Sequence, residues 1–190
     1  MYSLRGGERG FMKNQCILIA GPKHSGKSKA ACALGKITGA ETADLDELVE
    51  RQTGKKVRAL FREDPEVFMQ AEARALGSLV QTAKSETLRI IAAGGGLIDN
   101  PQAMALLLQH KEISIVYLDV SPETAWRRIG AAGELPPFLD TENPGETHLA
   151  LHKRRATAYK ALAHFTVYAE NKSAEEIALE IVEFLNLTRR

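Results

Sequence analysis

The run Gly21-Pro22-Lys23-His24-Ser25-Gly26-Lys27-Ser28 constrains this chain more than any other stretch. It stands between an apolar segment, Cys16-Ile-Leu-Ile-Ala20, and an alanine- and lysine-rich one, Lys27–Leu34. A short continuous apolar run reads as a strand buried on both faces. The stretch that follows reads as a helix. The pattern G-x-x-x-x-G-K-S in that strand–loop–helix setting is a phosphate cradle. Gly21 and Gly26 open backbone geometry closed to other residues. The loop amides then turn inward, and the helix adds its positive N-terminal end. Lys27 is placed to reach the β- and γ-phosphates of a nucleoside triphosphate, and Ser28 to offer its hydroxyl to Mg²⁺. The alternative is an ordinary glycine turn. At typical residue frequencies the match arises by chance in about one chain per hundred of this length, and the flanking pattern lowers that further.

The rest of the chain supplies a sheet for the loop to sit on. Segments near Glu41–Ala43, Leu88–Ala93, Ile113–Val120 and Phe165–Tyr168 read as further strands. Helical patterns over Glu47–Gln52, Lys56–Arg62 and Pro65–Lys84 follow the second strand. Asn100-Pro101 and Ser121-Pro122 each pair a capping residue with a first-turn proline, and Ser173 with Glu176 forms a capping box. The helices so opened run to about Gln109, Arg128 and Leu187, with one more over Thr147–Leu162. Strands alternating with helices predict an α/β fold, a parallel sheet with helices on both faces. Gly130–Pro144 is too long for an idle connection and is expected to be a lid, spanning about residues 130–148.

Composition adds limits. The chain has 190 residues, 44% hydrophobic and 26% charged, with a formal net charge of +1. That suits one globular domain over residues 15–190 and gives no bulk-charge reason for a nucleic-acid or membrane partner. Lys153-Arg154-Arg155, the one basic cluster, reads equally as a solvated helix face. Cys16 and Cys32 are expected as buried thiols without metal-ligand spacing, which fits a reducing compartment and a cytoplasmic protein. Residues 1–14 are polar and glycine-rich and read as a disordered extension, with Met12 as an alternative start. A monomer is expected.

Two further sites fall at strand ends, where ligands bind in open α/β sheets. Asp44-Leu45-Asp46 ends the second strand; one carboxylate could hold Mg²⁺ and the other could take a proton from an attacking hydroxyl. Taken alone, the pair reads just as well as helix-capping or surface acids. Gly94-Gly95-Gly96 ends the third strand and would let a backbone amide approach a ligand, or serve as a flexible turn.

In combination, the cradle, the Asp-x-Asp, the triple glycine, the long loop and the helix His152-Lys-Arg-Arg155-Ala-Thr-Ala-Tyr159 resemble the shikimate kinase family, from about Gln15 to Leu187. The segment Asp44-Leu-Asp46-Glu-Leu-Val-Glu-Arg-Gln-Thr-Gly54 carries the same likeness. The resemblance implies a five-stranded parallel sheet of order 2-3-1-4-5 and phosphoryl transfer from ATP, with Mg²⁺, to a hydroxyl of shikimate, within aromatic amino acid biosynthesis. It implies Lys27 and Asp46 as catalytic residues, with Gly21, Lys23, Ser25, Gly26, Lys27, Ser28 and Lys29 around the nucleotide and Arg128 against its adenine. Ser28 and Asp44 would serve the metal. Asp46, Gly94, Gly95, Gly96 and Arg155 would hold a small hydroxylated acceptor, Arg155 by its carboxylate.

Two departures stand against this. The family carries Phe-Arg-x-x-Glu where this chain has Phe68-Met69-Gln70-Ala71-Glu72, so the carboxylate-binding arginine is Met69. The lid arginine is replaced as well, by Pro136 in Leu135-Pro136-Pro137-Phe138-Leu139, and no Lys or Arg occurs from Ile129 to His152. Arg62, Arg74, Lys23, His148 and His152 are candidates for compensation, each with solvent exposure as its plain alternative. Arg74 lies five positions from Met69 and so on a different helix face. His24 reads as an exposed loop side chain. The alternative function is a nucleotide-binding relative with a different acceptor or with no kinase activity.

Overall fold

The computed structural model describes residues 16–82, 88–133 and 135–187, so the expected extension at residues 1–14 lies outside the described residues. Five parallel strands form one sheet of order β2-β3-β1-β4-β5. They are β1 Cys16–Ala20, β2 Glu41–Asp44, β3 Arg89–Ala92, β4 Ile113–Asp119 and β5 Phe165–Tyr168. The helices are α1 Lys27–Thr38, α2 Leu45–Thr53, α3 Val57–Glu63, α4 Pro65–Thr82, α5 Pro101–Gln109, α6 Pro122–Ala131, α7 Pro144–Leu162 and α8 Ala174–Leu185, with 3-10 turns at Leu97–Asp99 and Pro137–Leu139.

The alternation of β1 divides the core. Cys16 and Leu18 face one way, onto apolar residues of α2, α3, α4 and α5. Ile17 and Ile19 face the other, onto α1 and α8. All five β1 residues are buried, as a central parallel strand requires. The element starts follow their caps. Asp44 Oδ1 accepts from the Asp46 and Glu47 amides to open α2. Asn100 Oδ1 does the same for α5, and Ser173 with Glu176 closes a capping box on α8.

Three expectations are corrected in detail. First, α6 continues to Ala131 and α7 begins at Pro144, so the long connection is residues 132–143. Asn143 precedes Pro144, which takes a first-turn position where its missing N–H costs nothing. Second, Cys32 is exposed and only Cys16 is buried. The i+3 and i+4 pattern of α1 turns Ala30, Ala31, Ala33 and Leu34 inward and leaves position 32 outside. Third, His148 and His152 are buried rather than solvent-facing. Their Nε2 atoms lie 2.9 Å from the Pro122 carbonyl and 3.1 Å from the Val120 carbonyl, and they hold α7 against the start of α6. Among the described residues, no helix is long and apolar enough to cross a membrane.

Candidate active site

The carboxyl ends of β1, β2 and β3 open into a cavity of about 1240 Å³. One end is the loop after β1. Gly26, at the start of α1, adopts φ 99, and His24 also lies in the left-handed region at φ 59. A Cβ on Gly21 would stand 2.7 Å from Ser25 Oγ and 2.8 Å from the Leu118 carbonyl, so only glycine fits there. Ser25 is buried, and its Oγ has no hydrogen-bond partner among the described residues. A buried hydroxyl without a partner is costly and marks a place where a polar ligand atom belongs.

Lys27 folds back over the loop, its Nζ donating to the Pro22 carbonyl at 2.8 Å. Burial draws its ammonium down to about 8, while the Asp46 and Asp44 carboxylates pull it back up. Lys23, Ser28 and Lys29 border the same space. Ser28 Oγ donates to Asp44 Oδ2 at 2.6 Å. Asp44 therefore does two things at once: one oxygen caps α2 and the other turns to Ser28. The helix-capping reading of this residue is correct, and its second oxygen faces Ser28 at the edge of the cavity.

Arg128 closes the far side. Its Nη1 donates to the His24 carbonyl and its Nη2 to the Glu170 carbonyl, both at 3.1 Å. It thereby joins the tip of the β1 loop to the segment after β5. His24 is exposed, as expected, yet it borders the cavity. Burial and the neighbouring Lys23, Lys27 and Arg128 charges lower its pKa, which favours the neutral imidazole.

At the other end each glycine of the triplet has its own steric reason. A Cβ on Gly94 would lie 2.8 Å from Glu72 Oε1 and 2.9 Å from Asp46 Oδ1. On Gly95 it would lie 3.2 Å from the Lys23 amide nitrogen, and on Gly96 it would lie 3.1 Å from Arg155 Nη2. The turn is thus packed against α4, α2, the β1 loop and α7 at once, and it is not a loose connection. Tyr159 of α7 fastens it further, because its hydroxyl accepts the Ile98 amide at 3.1 Å.

Asp46 sits largely inside the protein, and burial, with the Asp44 charge next, raises its carboxyl above the usual range. Arg155 turns inward from a helix face whose neighbours Lys153 and Arg154 are exposed. Its Nε donates to Asp99 Oδ2 at 2.8 Å, and its guanidinium lies 5.0 Å from the centroid of the Phe138 ring. Met69 and Pro136 border the cavity, whereas Arg62 and Arg74 do not.

The sequence reading passed over Arg58, Phe61, Asp99 and Phe138, all of which line the cavity. Arg58 Nη2 donates to the Leu135 carbonyl and ties α3 to the connection after α6. A signal was present: lining positions 58, 61, 65, 68, 69 and 72 recur at three- and four-residue steps across α3 and α4. Asp99 carried no such signal, because its place depends on a turn folding back onto α7.

A parallel sheet with a phosphate loop after its central strand and a pocket beyond it has the architecture of a P-loop phosphotransferase for small molecules. The shikimate kinase family model matches residues 23–186. A shikimate kinase of Salinispora arenicola is 32% identical over 171 residues, covering 90% of this chain and 96% of the relative. One from Thermobifida fusca is 34% identical over 162 residues, covering 85% and 89%. Among solved structures, the shikimate kinase of Acinetobacter baumannii in complex with shikimate aligns with TM-score 0.79 at 27% identity, over 90% of this chain and 92% of that one. The chain belongs to the shikimate kinase family and is a small-molecule kinase.

Proposed function

We propose that the enzyme transfers the γ-phosphoryl group of ATP to a hydroxyl of shikimate. The observation that carries this reading is the meeting of Lys27, Asp46 and Arg155 around Gly94–Gly96 in one cavity with the phosphate loop. The loop fits a triphosphate: it holds a buried Ser25 hydroxyl that has no hydrogen-bond partner among the described residues, and its lysine folds back over it. Ser28 Oγ and Asp44 Oδ2 would hold Mg²⁺, directly or through water, and the ion would supply neutralisation of phosphate charge.

The protein's own groups do the rest. Asp46 accepts the proton of the acceptor hydroxyl, whose oxygen forms the new bond to phosphorus as the bond to the leaving oxygen of ADP breaks. The partly desolvated Lys27 regains its full charge on meeting phosphate, because an anion favours the ammonium form. Arg155, oriented by Asp99, receives the acceptor carboxylate, and Arg128 lies against the adenine.

A coupled ADP-release assay with Mg·ATP and a panel of hydroxylated acids and polyols tests this. Shikimate-dependent turnover is expected, and its absence would overturn the reading. One observation favours a second reading, a different acceptor or nucleotide binding without transfer: Met69 and Pro136 border the cavity, at positions where the family resemblance implies arginines. Tight ATP binding by calorimetry with no turnover across the panel would select it.

A further inference from the structure

Two buried histidines of α7 stand outside the scheme above. His148 and His152 are one helical turn apart, and each is 7% exposed. Their Nε2 atoms face the Pro122 and Val120 carbonyls, and a carbonyl only accepts, so each Nε2 carries the hydrogen. Each Nδ1 is then the bare nitrogen of a neutral ring. In His152 that nitrogen is buried and has no hydrogen-bond partner among the described residues. The two ring centroids lie 5.5 Å apart, and that of His148 lies 5.2 Å from the Trp126 ring on α6. The pair therefore joins the first half of α7 to the turn that leads from β4 into α6. Tyr159 fastens the second half to the glycine turn, and Arg155 falls between the two anchors.

This seat suits a neutral imidazole and not a charged one. A proton on His152 Nδ1 would be a buried donor with nothing to receive it. The groups around the ring give little relief. A small cavity of about 30 Å³ beside it is bordered by two cations, Lys23 of the β1 loop and Arg155 of α7, and by Tyr117 of β4 and Tyr159 of α7. The acids Asp119 of β4 and Glu123 of α6 also face it, but Asp119 Oδ2 already lies 2.6 Å from Lys160 Nζ. Burial, and the His148 ring next, hold the His152 pKa below its ordinary value of 6.5; the Val120 carbonyl, Asp119 and Glu123 act the other way.

We propose that His148 and His152 are positioning residues: as neutral rings they seat α7, and Arg155 with it, and protonation of His152 at acid pH unseats both. This rests on the acceptor-binding role given to Arg155 above and deepens it. The device sits behind the phosphate loop, outside both ends of the large cavity, and it acts on the acceptor only through the helix.

The test compares the native enzyme with His152→Gln, whose amide can donate to the Val120 carbonyl but takes up no proton. At about pH 7.5 the two should have similar KM values for shikimate. Toward about pH 5.5 the native KM should rise about tenfold above that of H152Q, the size expected for an unmet buried donor, with the KM for ATP unchanged. Asp46 and Glu72 titrate in both proteins, so their effects cancel in the comparison. Trp126, the chain's single tryptophan, gives a reading that needs no acceptor. Its emission should change below pH 6.5 in native protein while far-ultraviolet circular dichroism holds, and H152Q should show no such change. Parallel KM profiles in the two proteins would overturn the proposal. So would a Trp126 emission that is flat with pH, that changes alike in both proteins, or that changes only together with the circular dichroism. If the native enzyme turns over no acceptor, the kinase reading fails instead, and the Trp126 titration decides for the histidines by the same criteria. Should H152Q not fold, the native titration decides: a change in emission with circular dichroism constant supports the proposal, and a flat emission rules it out.

Discussion

The two ends of the cavity are built by different means. At the nucleotide end, eight consecutive residues, Gly21–Ser28, make a cradle mostly from backbone, and distant chain adds Asp44 and Arg128. At the end proposed for the acceptor no two consecutive elements suffice. Asp46 comes from α2, Glu72 from α4, the glycine turn from after β3, and Arg155 from α7. A backbone cradle reads phosphate and nothing more, so it tolerates little change. A side-chain pocket can be retuned one residue at a time, and Met69 and Pro136, which line it, are positions where such retuning would act.

The comparison can be broken most sharply at the nucleotide end. Lys27→Ala is expected to reduce turnover by at least about 10²–10³, because it removes the cation aimed at the transferring phosphate. Steady-state assay of the folded variant checks this, and retained activity would remove the loop from the mechanism. Next, Asp46→Asn should lower kcat by about 10²–10⁴ while leaving ATP affinity, read by calorimetry, unchanged. A matching loss of ATP affinity would show that the two ends are not separable.

A smaller effect is expected from Met69→Arg. A charge-assisted pair contributes about 1.5–3 kcal/mol, so the KM for shikimate should fall roughly tenfold. The KM for a methyl ester of the same acid should not fall. Equal change for both would mean that position 69 does not face the carboxylate.

The smallest effect concerns stability. Glu72 is raised from 4.5 to about 7 in the folded protein. The unfolded chain therefore releases its proton first as pH rises, and the native state loses stability between about pH 4.5 and about pH 7. The melting temperature of native protein relative to Glu72→Gln should fall by several degrees, on the order of 2–4 °C per kcal/mol, across that window and stay level above it. A flat difference would place the Glu72 carboxyl in a less buried setting.

The legibility of these features divides along the same line as the cavity. The five strands, the capping residues and the sheet order were readable, the order through family likeness, since each rests on local patterns or on a motif. The end of α6 and the start of α7 differ from expectation because the stretch between them has weak periodicity and several prolines. Cys32 was expected inside because its helix is rich in small residues, and only the turn of α1 put it outside. His148 and His152 read as solvent-exposed groups on the helix after the lid, yet their nitrogens meet the Pro122 and Val120 carbonyls, contacts between residues far apart in the chain.

What the amino-acid sequence determined by itself is the phosphate cradle, because eight adjacent residues carry most of its backbone and the flanking strand and helix follow from short-range patterning. What only the tertiary structure decided is the acceptor pocket. Asp46, Glu72, Gly94 and Arg155 lie far apart along the chain, and their distances exist only after parallel crossovers bring the ends of β2 and β3 beside β1. That is why Glu72, in the sequence only the last residue of a helical motif, becomes a buried carboxyl facing Asp46 in the fold.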